Sequence, residues 1–251
     1  MSEFKSLMDR IKALKSSYFH AWQAFNAYES MSEQTAPNIV GPKEAEDNVE
    51  IIKRYSNFLL PAKEALRVYF FLELAKLFDS SDDSLHISKV VNVASSNLKH
   101  LTVEAFAEYE KDQSREFLDQ LVAEYKGMSP EDIKEIRESL VLHEGSIKKL
   151  KDYRDKWLAH HDLHRTIPPT ITGEDLHALF ELLDRILNSI SSKLTSTRTM
   201  WDHARDGARH ETKLVLEHLK RFRPYQLKEI EDECTREIEE WKNKSNPDSR
   251  S

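Results

Sequence analysis

Glycine and proline are scarce in this chain: its 251 residues include 5 glycines and 8 prolines. Together they make up about 5% of the sequence, whereas an average protein contains roughly 12%. An all-β fold needs turn residues roughly every 8–12 positions, and so few glycines cannot build the phosphate-binding loops of a nucleotide-binding α/β enzyme. A mostly helical protein remains, and the 39% of hydrophobic residues can fill a sizeable core.

Charge and cysteine content exclude several further classes. The formal net charge of −7 disfavours nucleic-acid binding by overall charge, so any RNA contact would need a local basic patch. A single cysteine, Cys234, excludes a disulfide framework and a cysteine-based zinc site. The longest apolar run, residues 68–72, is far shorter than the ~20 residues that cross a bilayer. The first residues lack the apolar segment of a signal peptide, so we expect a cytoplasmic protein with no membrane partner.

The few glycines and prolines divide the chain into predicted helices. Apolar residues spaced three and four apart predict a helix over 3–31 with an aromatic second half that belongs to the core, and a loop over 35–43 follows. A second helical region spans 44–79, where Pro61 should break or kink the helix. Further helices are predicted at 85–98, 103–126, 129–161 and 172–194. Residues 199–244 are predicted to form one or two long helices, with Pro224 as the obvious break. Ser129 and Thr172 are the expected N-caps of their helices.

Charge is uneven near the C-terminal end of the chain. Residues 196–223 contain seven basic and four acidic side chains, whereas 225–242 contain three basic and seven acidic ones. Two interpretations fit this pattern. The two segments are either solvated helix faces that pair with each other, or the first is a basic helix that contacts RNA or a partner.

The densest set of reactive side chains lies in residues 153–164. Arg154 is a permanent cation that can bind a phosphate through two hydrogen bonds. His160 and His161 can transfer protons near neutral pH. Asp155 and Asp162 can orient an imidazole or pair with the arginine.

Three interpretations of this cluster differ in chemistry. His160 and His164, four residues apart with His161 and Asp162 beside them, could bind a metal ion. Alternatively, the histidines and basic residues only stabilise the C-terminal end of a helix, where positive charge is favourable. The third interpretation is cleavage of a phosphodiester, which requires a cation at the phosphate and a histidine that moves a proton.

A family resemblance favours the third interpretation. The stretch RDKWLAHHD, residues 154–162, resembles the Arg-(Asn/Asp/His)-x-x-x-x-His signature of HEPN-domain ribonucleases. It is more closely similar to the Arg-(Asn/Asp)-Lys…Ala-His-x-Asp form of AbiU-like abortive-infection HEPN proteins. The upstream stretch FFLELAKLFD, residues 70–79, also resembles that family, and the likeness extends over residues 3–195.

The resemblance implies an all-α fold, an up-and-down helical bundle of the HEPN type. We place the bundle at residues 1–198, a C-terminal helical extension at 199–244 and a disordered tail at 245–251. The family further implies a homodimer in which the motif helices of two protomers face each other. Its activity would be metal-independent cleavage of RNA without a cofactor, as a toxin in phage defence or in a toxin–antitoxin pair with a cognate antitoxin. The family's catalytic residues correspond here to His160 and Arg154, with Asp155 orienting them.

The choice between the two adjacent histidines stays open. On an ideal α-helix, residues six apart are about 120° from a common face, but residues seven apart are only about 20° from it. Helix geometry therefore favours His161 as the partner of Arg154, whereas the family pattern favours His160.

A local basic patch makes RNA binding compatible with the acidic net charge. Residues 147–165 contain six basic and three acidic side chains. We assign RNA contacts to four residues within this segment: Lys151, Lys156, His164 and Arg165. Two alternatives remain, namely a non-catalytic helical module that binds RNA, a nucleotide or a protein, and a dimeric scaffold in which the histidines only cap a helix.

Overall fold

The computed structural model describes residues 3–81, 83–158 and 170–245 of the chain. Within these ranges it contains eleven α-helices and no β-strand, which confirms the predicted all-α class. No helix in the described ranges is long and apolar enough to cross a bilayer. The helices are α1 (Glu3–Glu33), α2 (Pro37–Val40), α3 (Pro42–Arg54), α4 (Ser56–Leu77), α5 (Ile87–Ser96), α6 (Val103–Tyr109), α7 (Arg115–Glu124), α8 (Pro130–Leu142), α9 (Glu144–Tyr153), α10 (Gly173–Leu194) and α11 (Trp201–Ser245).

The chain forms two compact units. The first contains Met1–Tyr28 and Glu64–Ala208, and the second contains Glu29–Lys63 and Arg209–Ser251. The domain boundaries predicted from the sequence are not tested by this division and stay predictions. The predicted disordered tail falls almost wholly outside the described residues.

Aromatic side chains of α1 form the centre of the first unit, as predicted. Trp22 and Phe25 lie on one face of α1, and their ring centroids are 4.8 and 4.9 Å from that of Phe180 on α10. Tyr18 is buried one turn earlier, and its hydroxyl donates a 3.2 Å hydrogen bond to the Phe180 carbonyl. Phe70 of α4 packs edge-on against Phe25 at 5.2 Å. The contacts join α1, α4 and α10 around one apolar core.

Neither proline breaks its helix, so the predicted break is wrong at both positions, whereas the kink at Pro61 stays a prediction and the single helix α11 is one of the two outcomes expected for 199–244. Pro61 lies inside α4 and Pro224 inside α11, and the chain breaks instead at Tyr55, between α3 and α4. A proline leaves the carbonyl four residues earlier without a donor. Both prolines are exposed, so water can bind that carbonyl. The loop predicted at 35–43 also contains a short helix, α2.

Two long predicted helices are interrupted. The helix predicted at 103–126 is two helices, α6 and α7, because residues 110–114 are all polar and offer nothing to bury. The helix predicted at 129–161 breaks at His143, between α8 and α9, next to the largely exposed Leu142. Its predicted end at His161 lies outside the described residues.

One carboxylate, that of Asp175, joins α9 to the first turn of α10. Ser129 and Thr172 form the predicted caps, and in the second cap the Asp175 carboxylate accepts a 3.1 Å hydrogen bond from the Thr172 backbone N–H. Asp175 also accepts hydrogen bonds from the Ser146 hydroxyl at 2.7 Å and from Lys149 Nζ at 2.9 Å, both on α9. Burial alone would raise the pKa of Asp175, but the Lys149 ammonium and these hydrogen bonds hold it well below its usual range.

We predict that Asp175→Ala lowers the free energy of unfolding by about 1–2 kcal/mol at pH 7, since it removes a cap and a tie to α9. A carboxylate whose pKa falls on folding stabilises the protein above its ordinary pKa, and this effect is lost as the pH falls from about 4 toward the lowered value. The difference between the variant and the wild type should therefore shrink at about pH 3. Urea unfolding followed by circular dichroism measures both values.

The matched control is Glu174→Ala, since Glu174 is the exposed neighbouring residue in the same helical turn. It should change the free energy of unfolding by less than about 1 kcal/mol. A deficit of Asp175→Ala that stays constant down to about pH 3, or a control variant that loses as much, would contradict the account.

Candidate functional site

The structure describes four of the eight predicted site residues. Lys151 lies on α9, and Arg154, Asp155 and Lys156 follow directly after it. The other four, His160, His161, His164 and Arg165, lie outside the described residues, as does Asp162 of the metal hypothesis. Among the residues that are described, no three His, Cys, Asp or Glu side chains are grouped so that they could bind a metal ion.

Aromatic stacking fixes the end of α9 on α4. The Tyr153 ring stacks on the buried Phe71 ring, with 4.4 Å between centroids and 27° between planes. Leu150, one turn earlier on the same face, is fully buried. Arg67 of α4 donates a hydrogen bond to the Tyr153 hydroxyl, and Glu64 accepts one from Arg67 Nε at 2.8 Å. The position of Tyr153 in turn sets the position of the next residue, Arg154.

The backbone changes its helical form at Arg154. Residues Arg154–Leu158 form a π-helical turn directly after α9. In such a turn each N–H bonds to the carbonyl five residues earlier, and single turns of this kind are frequent at functional sites. The step of 100° per residue, which favoured His161 over His160, does not hold over this turn. Ideal helix geometry therefore gives no reason to prefer His161.

The Arg154 side chain lies between two carboxylates. Its Nε–H donates a 2.6 Å hydrogen bond to Asp155 Oδ1, and its Nη1 is 3.8 Å from Asp79 Oδ2. The side chain is 21% exposed, so the guanidinium is partly shielded and still reachable from solvent. The structure thus brings the predicted Arg154 and Asp155 together and adds a carboxylate from the end of α4.

Asp79 is ionised and held in place by the turn that follows α4. Its Oδ1 accepts a 2.8 Å hydrogen bond from the Ser80 backbone N–H, and its Oδ2 is 3.4 Å from the Ser84 hydroxyl. Partial burial raises the pKa of Asp79, but the Ser80 N–H and the charges of Arg154 and Lys151 outweigh that effect and lower it. At neutral pH a fixed negative charge therefore faces the guanidinium.

The two predicted RNA-binding lysines that are described have different surroundings. Lys156 Nζ is 3.3 Å from Asp152 Oδ1, and Lys148 Nζ is 2.9 Å from the other oxygen of the same carboxylate. Both lysines lower the pKa of Asp152. Lys151 is half-buried on α9, and its charge acts on Asp79 and His86.

The patch is less basic than the sequence indicates. The count of charged residues within 147–165 omits two acids from elsewhere in the chain that the fold brings close, Asp79 beside Arg154 and Asp175 beside Lys149. Most of the positive charge described here is therefore paired. An anion at this place would be bound by particular side chains rather than by an extended positive field.

Two residues of this region, the buried His86 and Asp79, belong to no motif that the sequence alone identifies as a site. His86 is 6% exposed, and its Nδ1 accepts a 3.2 Å hydrogen bond from the Lys89 N–H as the N-cap of α5. Burial lowers the pKa of His86, the charges of Lys89 and Lys151 act in the same direction, and Asp79 opposes them. A groove of about 510 Å³ opens beside His86 and Ser80. The only sequence signal for this region was the FFLELAKLFD resemblance, which ends at Asp79.

The chain is similar to one known protein family over most of its length. The HEPN family model described as AbiU2 matches residues 4–215, which is most of the chain. No curated protein and no solved structure matches this chain. The matched span contains Arg154, Asp155 and Asp79, the side chains that the fold brings together. This chain accordingly belongs to the AbiU2 family of HEPN-domain proteins.

Proposed function

We propose that this protein is a metal-independent endoribonuclease of the abortive-infection type. In the proposed reaction the ribose 2′-oxygen attacks the adjacent phosphorus, and the bond from phosphorus to the 5′-oxygen breaks. The 2′-hydroxyl loses its proton to a base, and the leaving 5′-oxygen receives one. The products are a 2′,3′-cyclic phosphate and a 5′-hydroxyl, and the step needs no redox partner.

The observation that carries the proposal is the fixed orientation of Arg154. Asp155 binds the Nε edge of the guanidinium at 2.6 Å, which leaves the two Nη groups as the edge for a phosphate. With 21% exposure the cation is already partly desolvated, so its attraction for the charge that develops on phosphorus is stronger than in water. Asp155 here has the orienting role that the family resemblance gives it.

Asp79 fits the same chemistry as a positioning residue. At 3.8 Å from Nη1 it is too distant for a hydrogen bond, yet its charge attracts the guanidinium. A phosphate can therefore bind Arg154 without displacing a hydrogen bond to Asp79. The Ser80 and Ser84 contacts keep Asp79 in place while the phosphate binds.

The proton-transfer role belongs to the motif histidine in this proposal. His86 is unsuited to it because its Nδ1 is engaged in the cap of α5 and it is buried. We assign the role to His160 on the family pattern, with His161 as the second choice. We further propose that two protomers form the cleft, that Lys151, Lys156, His164 and Arg165 contact RNA, and that an antitoxin protein restrains the activity.

RNA cleavage by His160→Ala and Arg154→Ala tests the assignment. With EDTA present, we expect each variant to cleave a mixture of tRNA and ribosomal RNA at least about 100-fold more slowly than the wild type, since general acid–base catalysis and charge stabilisation each contribute about that much. Gel electrophoresis of the RNA over time measures the rates.

The matched control for that experiment is Lys148→Ala. Lys148 is a basic residue of α9, the helix directly before Arg154, but its side chain is 75% exposed and pairs with Asp152. It should keep nearly the wild-type rate. Cleavage that survives both motif substitutions would contradict the catalytic roles, and cleavage by no form of the protein would favour the non-catalytic module.

A second experiment separates positioning from folding at Asp79. We expect Asp79→Asn to lower kcat about tenfold without raising KM, because Arg154 loses its orientation while a competing negative charge is removed. Asp83→Asn, an exposed change in the same turn, should leave both constants unchanged. A raised KM with unchanged kcat, or an equal effect of the two variants, would show that Asp79 does not position Arg154.

A further inference from the structure

An apolar stripe runs along the last part of α11. Its members are spaced three, four, four and three residues apart: Leu227, Ile230, Cys234, Ile238 and Trp241. At about 100° per residue they lie within a sector of roughly 80° on the helix surface. A stripe of this width is typical of the seam of a coiled coil and narrower than the face that a core helix buries.

The stripe is exposed to solvent. Leu227 is 48% exposed, Ile238 is 53% exposed and Trp241 is 68% exposed, and the Cys234 thiol is free and exposed. With Ile230, which is 46% exposed, the stripe has four large apolar side chains and a thiol in one line, which is unusual for a surface that stays in water. Polar residues surround the stripe, so the helix is amphipathic.

The stripe continues the face by which α11 packs within the second unit. Leu216 is buried on that face, and Lys220 and Arg223 pair there with Glu44 and Glu50 of α3. The Tyr55 hydroxyl donates a 2.7 Å hydrogen bond to Gln226, one residue before the stripe begins. This side of α11 is thus in contact with other parts of the second unit up to Gln226, and it is exposed to solvent from Leu227 onward.

The charged residues beside the stripe favour one kind of partner. Glu231 and Lys242 border the stripe on one side, and Glu233 and Glu237 border it on the other. Residues 225–242 contain seven acidic and three basic side chains. An antiparallel pairing of two copies would place Glu233 of one chain opposite Glu237 of the other, which is unfavourable. Basic side chains on a partner helix would instead pair with these glutamates.

We propose that this stripe, Leu227 to Trp241, binds an amphipathic helix of another protein whose flanking positions carry lysine or arginine. The helix would lay its apolar seam over the stripe and continue the packing that ends at Gln226. The stripe lies beyond residue 215, where the match to the AbiU2 family model ends. The proposal is independent of the ribonuclease activity.

The reactivity of Cys234 reports directly whether the stripe is covered, because Cys234 is the chain's single cysteine and lies in the middle of the stripe. The probe is a synthetic peptide of three heptads with leucine and isoleucine in the seam and lysine at the flanks. At saturation it should slow the reaction of Cys234 with DTNB at least about tenfold, since thiol reactivity depends on exposure. The same peptide with glutamate at the flanks should leave the rate unchanged, and added salt should weaken the protection.

Two variants make the result specific. Ile238→Ser together with Trp241→Ser should abolish the protection, and circular dichroism should not change because both side chains are exposed. Arg236→Ser, on the opposite face of the helix, should keep the protection. Protection by the glutamate peptide, or by neither peptide, would overturn the proposal. A dimer of the chain that becomes monomeric with Ile238→Ser in sedimentation velocity would instead assign the stripe to a second copy.

Discussion

The stacking of Tyr153 on Phe71 is the contact on which the candidate site depends. It holds the last turn of α9 against α4, and α4 is itself fixed to α1 through Phe70 and Phe25. Since Arg154 is the next residue, the same contact brings its guanidinium to the end of α4, where Asp79 lies. An arginine on an exposed helix end would sample many orientations, whereas this one is held by an aromatic core and two carboxylates.

The electrostatics of the site follow from that placement. In a chain with a net charge of −7, RNA cannot be attracted by the average field. The fold also brings Asp79 and Asp175 to a segment that looked basic in the sequence, so most of the described lysines and Arg154 have anionic partners. A phosphate that bound here would therefore be held by a few oriented donors that act over short distances, rather than by an extended positive field.

Much of the fold could be predicted from the sequence because it depends on local signals. The spacing of Tyr18, Trp22 and Phe25 predicts the buried face of α1, and Ser129 and Thr172 predict two helix starts. Pro61 and Pro224 do not break their helices, contrary to the sequence prediction. The effect of a proline depends on whether its side of the helix is exposed to water, and the fold determines that exposure. The polar run at 110–114 interrupts a helix for a similar reason, since burial rather than propensity maintains it.

The candidate site was predictable in part. Arg154 and Asp155 are adjacent in the sequence and belong to one signature, so their pairing could be anticipated. Asp79 lies 75 residues earlier, and the packing of α9 on α4 is what brings it to Arg154. The π-helical turn was equally hidden, because no pattern of residue types in 154–158 predicts it. Long-range packing and local backbone form are the two things that the sequence pattern did not contain.

The central claim is that RNA cleavage here uses the ribose 2′-oxygen and no metal. It is tested most directly by incubating the protein, with EDTA present, with an RNA and with the same RNA methylated at every 2′-oxygen. The account predicts that the unmodified RNA is cut to fragments with 2′,3′-cyclic phosphate and 5′-hydroxyl ends, and that the methylated RNA stays intact. Cutting of both RNAs, or cutting that stops with EDTA and returns with a metal ion, would contradict it.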